Sequence, residues 1–141
     1  MTRVAVLYGG ISAEREVSMA TGTQVVAALR QAGFDVDPVE VSDDLGALLA
    51  RLTPKPDAVF NALHGRFGED GCIQGLLDMM RIPYTNSGRL ASAVAMDKPM
   101  AKRVMAAAGI PVAEECIVTR AEAERGDVMP RPYVLKPFNE G

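Results

Sequence analysis

The sequence predicts an α/β fold, a parallel sheet with helices on both faces. Three observations carry this. Short apolar runs ending in glycine or a turn recur along the chain, as in "RVAVLYGG" and "DAVFNALHG", and uninterrupted apolar strands suit a sheet buried on both faces. Segments with apolar residues at helical spacing alternate with them. Glycine and charge collect where the strands end, in "GGISAERE" and "HGRFGEDG", which is where open parallel sheets bind ligands.

Taken in order, "RVAVLYGG" is the first buried strand. A helix follows, with Ser12 as its expected N-cap, Val17, Val25, Ala28 and Leu29 as its expected inner face, and Gly33 as its stop. "FDVDPVEV" alternates as a second strand, and Pro38 assigns it to an edge or a bulge. "LGALLARL" is a short amphipathic helix halted by "TPKP". "DAVFNALHG" is the third strand, "GCIQGLLDMMR" the next helix, "IPYTNSG" a fourth short strand and turn, and "RLASAVAM" a further helix. The style then changes. "DKPMAKRVMAAAG" opens a new helix with an acid and an early proline. "IPVAEECIVT" reads as a strand, "RAEAERG" as a short helix or loop, and "RPYVLKP" as a last strand. A boundary near Met96 divides residues 1–96 from residues 97–141. The second unit is too short for a comfortable core of its own, and the chain reads as cut short at Gly141.

Composition narrows the function. The 141 residues are 48% hydrophobic and 23% charged, with a net charge of -3. That balance argues against nucleic acid or an anionic membrane as main partner. No apolar run has the length of a membrane span, and the N-terminal apolar run is strand-length with one arginine, unlike a signal peptide. Cys72 and Cys116 are far apart with no CxxC or Cys/His cluster, as expected of reduced thiols in a cytoplasmic protein with no metal site here.

The strand-end loops carry the candidate chemistry. "GGISAERE" lacks the third glycine of a dinucleotide loop and holds acids that a pyrophosphate would avoid. Glu14 either complements the helix dipole or faces the sheet end to hold a cationic group such as a substrate amine. Arg15 and Glu16 read as solvated charges. His64, the only histidine, precedes Gly65 at the end of the third strand and suits either donation to a carboxylate or action near neutral pH. Glu69 and Asp70 are expected to fix the turn and cap the following helix. Lys98 begins a helix and Lys136 ends an apolar run before "PFNEG"; each is a phosphate point charge or an ordinary surface lysine. No Walker A pattern is present.

Together, "GGISAEREVS", "LHGRFGEDG", "PYTNSG", "LASAVAMDK" and "LKPFNEG" resemble, in order and spacing, the D-alanine–D-alanine ligases of the ATP-grasp superfamily, from Val4 to Gly141. The resemblance implies a Rossmann-like N-terminal domain followed by the start of an ATP-grasp central domain. It implies ATP-dependent joining of two D-alanines through an acylphosphate for peptidoglycan synthesis, in a cytoplasmic homodimer that uses Mg²⁺. By that resemblance Glu14 holds the ammonium of the first D-alanine and Val17 touches the same substrate. His64 sits near its carboxylate. Lys98 and Lys136 contact ATP phosphates, and Glu140 and Gly141 open a phosphate-covering loop. Arg89 and Phe138 depart from the smaller apolar residues expected there. The acidic Mg²⁺ ligands and the arginine for the tetrahedral intermediate are expected beyond this chain, so the piece alone is expected to be inactive. Two alternatives stand beside this reading: a non-catalytic binding or assembly module, and a nucleotide-cofactor oxidoreductase domain with Glu40 as its ribose acid.

Overall fold

The strand β1 (Arg3–Gly9) is the axis of the molecule: Val4, Ala5, Val6 and Leu7 are all buried. A computed structural model describes residues 1–139, and the three strands among them are parallel, in the order β2 (Asp35–Val41), β1, β3 (Ala58–Asn61). Val6 pairs with Pro38 on one side and Phe60 on the other. Pro38 therefore lies in an edge strand of this sheet, as its missing N–H requires.

Alternation along β1 divides the core. Ala5 and Leu7 join Val39, Val59 and residues from two helices, α2 (Leu45–Arg51) and α3 (Cys72–Met80), on one face. Val6 joins Val26 of α1 (Arg15–Gln31) on the other, with Tyr8 and Phe60 packed alongside. Side chains at successive strand positions point to opposite faces, so a sheet covered on both sides needs an uninterrupted apolar run.

Each helix has local reasons to start and stop. The Asp44 carboxylate accepts from Ala47 N–H at 2.9 Å, capping α2. At the end of α1, Gly33 N–H donates to Arg30 O and Phe34 N–H to Leu29 O, which is a Schellman closure around a left-handed glycine. Asp97 closes α4 (Arg89–Met96) and caps α5 (Lys98–Ala107), accepting from Met100 N–H at 2.9 Å. α6 (Arg120–Arg125) has a reciprocal capping box between Thr119 and Glu122.

Several expectations need correction. The buried face of α1 is Ser18, Gly22 and Val26, while Val17 is 53% exposed and Ala28 is exposed. The approach to the sheet is closest at Gly22, where a Cβ would overlap Cβ and Cγ of Tyr8, while Val25 and Leu29 pack, as expected, against the cluster of Val6, Val26 and Ala62. Ser12 does not cap α1; Glu14 stands at the N-cap position and makes no side-chain cap bond. The expected fourth strand is a single parallel bridge, Val59 to Tyr84. The strands expected at residues 110–119 and 131–137 are not formed, so Lys136 follows no strand. A strand needs a neighbour to satisfy its backbone, and these runs have none among the described residues. Ile117, Val134 and Leu135 are exposed in consequence.

Gly22→Ala is expected to lower stability by about 2 kcal/mol through overpacking against Tyr8, read as a lower urea midpoint with an unchanged slope.

Candidate functional site

The ends of β1 and β3 lie side by side, and one hydroxyl joins the loops that leave them. Ser12 Oγ donates to the carbonyl of His64 at 2.7 Å and accepts from the N–H of Glu14 at 3.2 Å. Glu14 and His64, 50 positions apart in the numbering, are thereby held by the same side chain. Gly65 completes the junction. Its φ is +70°, and a Cβ there would come within 2.6 Å of Glu14 Oε2 and 3.1 Å of Ser12 Oγ. The Glu14 carboxylate therefore rests against main chain with no side chain between.

The loop from His64 to Asp70 is fixed from below. Asn61 Nδ2 and Gln74 Nε2 both donate to the Gly68 carbonyl, at 2.8 and 2.9 Å. Gln74 is 1% exposed, and its Oε1 is buried without a hydrogen-bond partner. Glu69 Oε2 accepts from Gly65 N–H at 2.6 Å, while Asp70 accepts from Phe67 N–H at 3.0 Å and Cys72 N–H at 3.1 Å. The turn-fixing expectation for this pair agrees with those bonds, whereas the N-cap position of α3 is Gly71, which has no side-chain cap bond. Partial burial pushes the Asp70 carboxyl up, and the N–H donors from Phe67 and Cys72 outweigh it, so its pKa lies below the ordinary value. The Cys72 thiol is pushed up by burial, and further by its bond to Asp70 and that group's charge.

His64 Nε2 lies 3.2 Å from Thr21 Oγ1. The ring borders a cleft of about 440 Å³ between the end of β3 and α4, whose other walls include Thr21, Asn61, Glu69, Gln74 and Ser92. A second cleft of about 1680 Å³ is bordered by both Lys98 and Lys136, and the two clefts share Ala95. Lys98 is the first residue of α5, as expected. Lys102 in the second cleft pairs with Glu115 at 3.2 Å. Glu140 and Gly141 lie outside the described residues.

The charges crowded after β1 have separate tasks. Glu14 turns toward Gly65, Arg15 bonds Glu40 of β2 at 2.6 Å, and Glu16 is exposed. Glu40, the ribose acid of the oxidoreductase alternative, is thus occupied by Arg15. Val17 lies one turn beyond Glu14, on the same side of α1. Ser12, Thr21, Asn61 and Gln74 were not singled out as site residues from the sequence. Gln74 carried a signal, a polar residue between Ile73 and Leu77 on an otherwise apolar helix face.

With its native pKa lowered, Asp70 contributes stability that is present above its ordinary value and lost as pH falls through the native one. Asp70→Asn is expected to cost about 1 kcal/mol at pH 7. The gap from the parent should close in acid, as followed by urea unfolding across pH.

A family model described as D-ala D-ala ligase N-terminus matches residues 3–51 and 46–87. The D-alanine–D-alanine ligase of Acidiphilium cryptum is 67% identical over 141 residues, all of this chain and 47% of that protein. That of Granulibacter bethesdensis is 63% identical over 139 residues, 99% of this chain and 45% of its own length. Among solved structures, the Bacillus anthracis D-alanine–D-alanine ligase complexed with ATP aligns with a TM-score of 0.73 and 33% identity, over 81% of this chain and 39% of that one. The chain spans about half the length of the curated relatives it matches. These similarities identify the chain as a member of the D-alanine–D-alanine ligase N-terminus family.

Proposed function

We propose that this chain supplies the first-substrate side of an ATP-dependent D-alanine–D-alanine ligase. The observation that supports the reading is the Ser12 junction, which ties the main chain of Glu14 to that of His64, with the Glu14 carboxylate against Gly65. In this reading residues 1–96 are the substrate domain and residues 97–141 open the ATP-grasp central domain. The Glu14 carboxylate holds the ammonium of the first D-alanine by a charge-assisted bond. Val17 packs on the same substrate. His64 lies by its carboxylate, where a hydrogen-bond donor offsets charge as the acylphosphate forms. The amine of the second D-alanine then attacks the acyl carbon, and phosphate leaves.

ATP fits the second cleft in one respect: Lys98 and Lys136 border the same space, as two cations meeting a polyphosphate should. Glu140 and Gly141 extend that assignment as the start of a phosphate-covering loop. Among the described residues no group of three or more His, Cys, Asp or Glu is placed to hold a metal ion. We assign the ligands of the family's Mg²⁺ to the part of the relatives that this chain does not span. We further infer a cytoplasmic homodimer for the whole protein. Among the described residues no helix is long and apolar enough to cross a membrane.

In the whole ligase, Glu14→Gln is expected to weaken binding of the first D-alanine by roughly 10-fold or more, the value of a charge-assisted bond. ATP affinity should change by less than about 2-fold, within the spread of remote substitutions. Titration of each substrate against parent and variant checks this, and equal losses for both would remove Glu14 from the substrate site. The 141-residue chain by itself should release no phosphate from ATP when D-alanine is added; steady ADP formation by the purified chain would overturn that division of labour.

A further inference from the structure

His64 is fixed at two points, and the second decides the chemistry of its ring. Ser12 holds its carbonyl at 2.7 Å, and Thr21 Oγ1 stands 3.2 Å from Nε2. Both neighbours come from the segment that also carries Glu14. A hydroxyl can donate or accept, so the distance alone fits either neutral form of the imidazole. The helix discriminates. A threonine inside a helix commonly spends its proton on the carbonyl four residues back. Thr23, on the same helix, donates to Met19 O at 2.8 Å in this way. Thr21 makes no such bond: among the described residues its one partner is the His64 ring. Among the described residues, the acceptor at hydrogen-bond distance from its hydroxyl is Nε2.

We propose that Thr21 is a positioning residue that donates to Nε2 of His64 and selects the tautomer protonated at Nδ1. The protonated nitrogen of a neutral imidazole is set by the bond its other nitrogen makes. Held this way, the neutral ring presents an N–H, a donor suited to a carboxylate or an acylphosphate oxygen, instead of a lone pair that would repel one. That consequence rests on the substrate reading above; the tautomer itself does not. Threonine suits the task because its β-branched side chain has few rotamers in a helix, which limits the positions Oγ1 can take.

The sequence contains one histidine, so the ring nitrogens can be read directly. The chain is labelled with ¹⁵N-histidine, and the long-range ring correlations, which differ between the two neutral tautomers, are recorded. The expected result is protonation at Nδ1 in the parent chain. Thr21→Ser, which keeps the hydroxyl, should retain it. Thr21→Val, which keeps the shape and removes the hydroxyl, should shift the population toward Nε2–H while backbone amide signals stay in place. Protonation at Nε2 in the parent overturns the proposal, as does an unchanged tautomer in a folded Thr21→Val chain. If that variant does not fold, the parent and Thr21→Ser spectra still decide. The readout needs no turnover, so a failed ligase assay bears on the substrate reading and leaves this result standing.

Discussion

One buried hydroxyl sets the geometry of the whole strand-end region. Ser18 Oγ, with no exposed surface, accepts from Gly9 N–H at 2.8 Å and donates to the Ala62 carbonyl at 2.7 Å. It pins α1 to the ends of β1 and β3 at once. Without it a buried N–H and a buried carbonyl would each lack a partner, at about 1–3 kcal/mol apiece. The candidate residues lie a few chain steps from this pin: Glu14 one turn before it, Thr21 three residues after it, and His64 two residues past Ala62. Small errors at Ser18 would therefore reappear as displacements of all three.

Much of this was legible because it is local. The apolar run of β1, the acid at the start of α5, the Gly33 stop and the Asp70 turn each depend on residues within a few positions, where propensity and capping rules apply. What failed depends on distant partners. Apolar spacing selected Val17 and Ala28 for the inner face of α1, but the face turned to the sheet runs through Ser18, Gly22 and Val26, with Gly22 against Tyr8. The runs at 110–119 and 131–137 have strand composition and no partner strand, so composition was insufficient. At the site, position after β1 drew attention to the acids, and resemblance singled out Glu14. The Arg15–Glu40 pair could not be read from spacing, since it joins the start of α1 to the end of β2.

The two parts of the chain are stabilised by different means. Before residue 97, burial on both sheet faces and buried amides such as Asn61 and Gln74 hold the fold. Beyond it, Pro99 is the last buried residue among those described, and order comes from caps and short-range pairs such as Arg120–Glu124 and Arg131–Asp127. Exposed ion pairs of this kind contribute little each.

The glycine floor gives the site an asymmetric evolutionary future. Gly65 already has no side chain, and its backbone is in a region that other residues enter only with strain. Substitution there can add volume and cannot remove any. Variation at this position can narrow the space beside Glu14 or block it, but a lineage seeking a bulkier guest must find its room elsewhere in the wall.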